Sequence, residues 1–194
     1  MKHLNDLKNE IHEAAKVKGF WDNERSDETL LMLIITEVAE AVEADRKGHR
    51  ANVEAFTDKI LNSRPINGDP TYTGAITSEM AFAAHFGSCI KDTVEDEFAD
   101  VIIRCFDLAG HKKMYIADSR YSFWKGYVSR NTFSDNAYRI CMILTHGNDT
   151  VTKMELALGF MWAWCDYLCI DIEWHIEQKM KYNATRAQMH GKSY

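Results

Sequence analysis

Leu30-Leu-Met-Leu-Ile-Ile-Thr36-Glu37-Val-Ala-Glu40-Ala-Val-Glu43-Ala44 is the stretch that decides the fold class. It contains neither proline nor glycine, and its apolar residues occupy almost every side of a helical wheel. A helix of that kind is buried on most faces. Glu37 and Glu40 stand three residues apart, so their carboxylates share one face. A second stretch, Glu97-Phe-Ala-Asp100-Val-Ile-Ile-Arg-Cys-Phe-Asp107-Leu-Ala109, repeats the arrangement, and Asp107, seven residues past Asp100, lies near the same face. Charged groups on buried helices are costly unless they are paired or hold a cation. Four carboxylates at these spacings make an all-oxygen ligand set suited to magnesium. In a helical protein, that points to phosphate chemistry.

The plainer reading of any helical acid is a solvated side chain. It fits Glu24, Asp27 and Glu28, which stand at a helix start and complement the dipole there. Glu95 and Asp96 read the same way, or as exposed acids. At the two motifs the apolar flanks and the repetition outweigh it. Glu43 continues the first series as a further ligand, a supporting group or a rim charge.

Outward from the motifs, the chain reads as helices throughout. Leu4, Leu7, Ile11, Ala14 and Ala15 follow helical spacing, and Gly19 ends that segment. Ser26 caps the next helix, which runs to about Lys47 and stops at Gly48. A short helix is expected over 52–61. The turn-rich segment 62–74 follows, holding both prolines, Pro65 and Pro70, and is long enough to be a lid or binding loop. Ser78 opens a helical run expected to break near Gly87, and the second acid motif rides a helix that ends near His111. Tyr115 to Ser134 is ambiguous. Ser134 or Asp135 caps a helix through Leu144, and Thr152 caps one last long helix from Lys153 into the 180s. No β alternation competes, so the expectation is one all-α domain over residues 1–194, with about 49–94 inserted between the two acid helices.

Bulk properties narrow the function. The 194 residues are 46% hydrophobic, which excludes a disordered chain. The net charge of −6 comes without a lysine-arginine block, so a nucleic-acid polymer is not expected as a partner. No signal peptide and no membrane span are expected. The five cysteines sit in apolar surroundings and read as reduced thiols of a cytoplasmic protein. Cys165 and Cys169 share a helix face, but no histidine or cysteine at finger-like spacing supports zinc. No histidine has a glutamate three residues before it, which argues against a di-iron bundle.

Near the end, Lys179, Asn183 and Arg186 fall at i, i+4 and i+7 on one helix face. A lysine, an amide and a guanidinium in line can clamp phosphate. They can equally be a solvated helix end whose cations complement the dipole. Phe20 and Trp21 precede the first acid helix, where Trp21 can stack on a base or pack as part of a hydrophobic staple. Trp162, Trp164 and Trp174 read as core or subunit contacts.

Together, the Glu37-x-x-Glu40 and Glu97-x-x-Asp100 pairs and the Lys179-x3-Asn183-x2-Arg186 element resemble the all-α nucleoside triphosphate pyrophosphohydrolases, the superfamily of MazG-like proteins and dimeric dUTPases. The motifs cover about 30 residues and the tail about 8. Thr36 stands where MazG-like proteins often carry a further glutamate, and residues 41–96 separate motifs that are usually close. The resemblance implies a helical bundle that binds magnesium, or manganese, through Glu37, Glu40, Glu97 and Asp100. It implies a nucleoside triphosphate substrate, cleaved to NMP and pyrophosphate. Glu37 or Glu40 would activate the water, and Lys179, Asn183, Arg186 and Trp21 would contact the substrate. It also implies a homodimer or homotetramer. The alternative is a catalytically weak or inactive nucleotide-binding or interaction protein on the same scaffold.

Overall fold

The helix at the centre of the molecule is the one carrying the second acid motif. In the computed structural model, which describes residues 3–63, 78–117, 123–147 and 149–188, it spans Val94–His111. The Thr93 hydroxyl caps its first turn by accepting from the Asp96 amide at 3.2 Å. In chain order the described helices are α1 (Leu4–Val17), α2 (Asp27–Arg46), α3 (Val53–Asn62), α4 (Ser78–Cys89), α5 (Val94–His111), α6 (Lys125–Val128), α7 (Phe133–Thr145), α8 (Thr150–Tyr167) and α9 (Ile172–Thr185). No strand occurs among the described residues, so the all-α expectation holds.

α5 packs against α1, α2, α8 and α9. Its buried residues, among them Phe98, Val101, Ile102, Cys105 and Phe106, face several neighbours at once, as its nearly all-round apolar sequence requires. Gly110 lets α1 approach closely, since a Cβ there would stand 2.6 Å from the Cβ of His12. On α8, Trp164 is 1% exposed and its ring centroid lies 4.7 Å from Phe98 and 4.6 Å from Phe133. α2 buries Leu30, Leu31, Ile34, Val38 and Ala41 but leaves Met32 exposed, so one side of this apolar helix faces outward.

The described part of the insertion forms α3 and α4, which build a second small core from Phe56, Phe86, Cys89 and Ile90. Trp174 and Tyr182 of α9 complete it, with Phe86 and Tyr182 stacked at 4.5 Å. The insertion therefore supports α9 from the side. The turn-rich stretch expected to form a lid falls almost wholly in 64–77, outside the described residues.

Three local expectations change. α4 continues through Gly87 to Cys89. Thr132 and Asp149, not Ser134, Asp135 or Thr152, cap α7 and α8. The expected last long helix is two helices, because Cys169 takes a left-handed conformation at φ 57° and the Asp171 side chain then caps a fresh helix from Ile172 by accepting from the Trp174 amide. Cys169 is consequently exposed at a turn, whereas Cys89, Cys105 and Cys165 are buried.

Candidate functional site

α2 and α5 run side by side, and this brings the two acid motifs together. Oxygens of Glu37, Glu40 and Glu97 lie within 4.8 Å of one another. Glu37 and Glu97 are each 4% exposed, while Glu40 is open to solvent. Glu97 Oε2 is buried and has no hydrogen-bond partner. Burial, reinforced by the charge of Asp100, lifts the Glu97 carboxyl from its ordinary 4.5 to about 9. Glu37 is also raised, by burial first and Asp100 second, against the opposing pull of Arg104.

Asp100 stands apart from the three glutamates because Lys179 holds it. The Lys179 ammonium lies 2.6 Å from Asp100 Oδ2 and 2.8 Å from both oxygens of Asp96. Lys179 is buried, as is Asp96 at 1% exposed. Burial lowers the lysine's affinity for its proton, but Asp100 and Asp96 more than offset this and raise it above the ordinary value. Burial likewise raises Asp96 to about 6, against the pull of Lys179. Asp96 thus departs from the sequence reading as a solvated or dipole-complementing acid. Asp92, Asp96 and Glu97 also offer oxygens within 4.8 Å, but Asp96 is already occupied by Lys179 and by the Asp92 amide.

A cavity of about 420 Å³ opens beside the motifs. Glu37, Asp100 and Arg104 line it from the acid helices, Asn183 and Arg186 from the C-terminal segment, and Trp21 from the α1–α2 connection. The structure thus gathers the sequence-expected Glu37, Asp100, Trp21, Asn183 and Arg186 around one space, with Glu40 and Glu97 completing the carboxylate cluster at Glu37. Lys179 is on the same helix as Asn183 but points its charge into α5, and it does not line the cavity. None of the described residues of the insertion lines it either.

Sequence reasoning gave no role to four groups, although it placed Asp107 near the face of Asp100. Arg104 Nε donates to Glu37 Oε1 at 2.5 Å; its place four residues after Asp100, on the same helix face, was the available signal. Lys18 and Arg25 also line the cavity, one donating to the Arg186 carbonyl at 2.5 Å and the other to the Phe20 carbonyl. Asp107 Oδ1 accepts from Trp21 Nε1 at 2.8 Å and from His12 Nδ1 at 2.7 Å. The Trp21 ring itself stacks on His111, centroids 4.1 Å apart and 13° from parallel, so one indole face is already covered.

Compared with known protein families, with curated proteins and with solved structures, the chain finds no match.

Proposed function

We propose that the chain is a magnesium-dependent nucleoside triphosphate pyrophosphohydrolase, converting an NTP or dNTP and water to the monophosphate and pyrophosphate. The observation that carries this reading is the meeting of Glu37, Glu40 and Glu97 from two packed helices at a cavity whose lining also holds Asn183, Arg186, Arg104 and Lys18. Acids and cations in one lining, with Arg104 already bonded to Glu37, match a metal-bound polyphosphate.

The donor set fits magnesium. It is all oxygen, it is fixed on rigid helices, and one of its two buried members carries an orphaned oxygen, Glu97 Oε2. Glu37, Glu40 and Glu97 would hold the ion, with Asp100 beside them. When bound, magnesium would offset phosphate charge and increase the electrophilicity of the α-phosphorus. Glu37 or Glu40 would take the proton of the attacking water, and the exposure of Glu40 favours it. Arg104, Arg186 and Lys18 would bind phosphate oxygens and the leaving pyrophosphate. Asn183 would bond sugar or phosphate. Lys179 supports the site from behind, fixing Asp100 rather than touching substrate.

One observation favours a second reading. Asp100 is paired with Lys179 and Glu37 with Arg104, which leaves Glu40 and Glu97 as the unpaired acids among the described residues where the resemblance implies four ligands. A nucleotide-binding protein without turnover would tolerate that arrangement. Pyrophosphate release from a panel of NTPs and dNTPs, with magnesium or with EDTA, separates the two. The enzyme reading expects magnesium-dependent monophosphate and pyrophosphate, at least 100-fold reduced in Glu97→Gln and Glu40→Gln, for about 3 kcal/mol of lost transition-state stabilisation. Nucleotide binding with no product would select the second.

A further inference from the structure

The cavity extends along α5 beyond the acid cluster. Asp100 and Asp107 both line it, and seven helical residues rise about 10 Å. The distance suits a nucleotide lying along α5, its phosphates beside Glu37 and its base beside Asp107. Ile103 and Arg104 line it between the two aspartates, and Leu30, Leu33 and Leu108 add aliphatic surface. A polar group in such a wall fixes orientation and specificity.

Asp107 is held for that task. Two N–H donors, from Trp21 at 2.8 Å and His12 at 2.7 Å, both converge on Oδ1. Arg25, whose charge also acts on Asp107, donates to the Phe20 carbonyl. Oδ2 makes no hydrogen bond among the described residues. Oδ2 is left as an acceptor on a residue that lines the cavity, and an ionised carboxylate accepts only.

On the pyrophosphohydrolase reading, we infer that Asp107 selects the base, favouring those that present an exocyclic amino group (cytosine, adenine or guanine) over those that present carbonyl oxygens there (uracil, thymine or hypoxanthine). An amino group would donate to Oδ2. A carbonyl in its place would set two acceptors against each other in a water-poor wall and leave both unsatisfied. The N3–H of uracil lies between two such carbonyls.

The test compares kcat/KM for CTP with UTP and for ATP with ITP, on the unaltered protein and on Asp107→Asn. Binding of the corresponding α,β-imido nucleotides gives a readout independent of turnover. The unaltered protein is expected to favour the amino-bearing member of each pair by about 10- to 100-fold. In Asp107→Asn the two N–H donors retain the amide oxygen at the Oδ1 position, so the amide NH₂ replaces Oδ2 and the acceptor becomes a donor. The preference should then shrink at least tenfold or invert. Equal use of both members by the unaltered protein overturns the inference, as does an Asn variant that weakens all four nucleotides alike. The unaltered comparison decides the matter even where the variant fails to fold. Failure to bind or turn over any of the four or their deoxy counterparts contradicts the pyrophosphohydrolase reading and removes this inference with it, whereas turnover without preference contradicts the role of Asp107 alone.

Discussion

Glu97 concentrates the chemistry of the site in one side chain. Its raised carboxyl pKa means that the folded, metal-free protein keeps a proton there which the unfolded chain releases above about 4.5. The folded state therefore binds more protons between about 4.5 and about 9, so this group costs stability progressively as pH rises through that window. Urea midpoints in EDTA across pH 5–9 should fall with pH in the unaltered protein, and the slope should flatten in Glu97→Gln. Equal slopes would show that Glu97 ionises normally in the fold. At this scale the sequence was partly legible. Glu37, Glu40, Glu97 and Asp100 stood out because acids at i, i+3 interrupt otherwise apolar helices. Asp96 did not, because an acid in the first turn of a helix ordinarily serves the dipole. Only the fold, which brings Lys179 to it across 83 residues, shows it as the buried member of an ion pair.

Among the elements, the tie between α9 and α5 is the most specific. Lys179 links them through Asp96 and Asp100, while α3 and α4 brace α9 through Phe56, Phe86, Trp174 and Tyr182. Lys179→Met would leave Asp96 buried without its counter-charge and is expected to cost about 3–5 kcal/mol. The double variant Lys179→Met/Asp96→Asn should recover most of that loss in urea unfolding. Failure to recover would place the cost in packing against Phe86, not in the charge. The helix boundaries show where the local sequence falls short. An apolar run through 156–170 gives no sign of a break, since nothing in the type of residue at 169 announces a left-handed backbone. Asp171, a good cap, was the available hint. The start of α2 was legible because Ser26 precedes a run with no competing cap.

For the molecule as a whole, the acid helices, the α1–α2 connection and the C-terminal segment meet around one cavity because α5 contacts α1, α2 and α9 together. The all-α class followed from apolar patterning and the scarcity of proline. The route of the insertion did not, because its two helices make their own small core and their docking side depends on α9. No described helix is long and apolar enough to cross a membrane. The pyrophosphohydrolase reading carries a homodimer or homotetramer with it, and exposed Met32 on α2 and Tyr138 on α7, two helices in contact, offer apolar surface for one. Light scattering at micromolar concentration is expected to give two or four times 22.4 kDa. A clean monomer would count against it.

The central claim is that the carboxylate cluster on α2 and α5 supports magnesium-dependent cleavage of nucleoside triphosphates. Its most direct test is product analysis with a mixed NTP and dNTP pool, in magnesium and in EDTA, for the unaltered protein and Glu97→Gln. The account predicts monophosphate and pyrophosphate in equal amounts, only with magnesium and only from the unaltered protein. Magnesium-independent products, products undiminished in Glu97→Gln, or no products from folded protein that binds magnesium would contradict it.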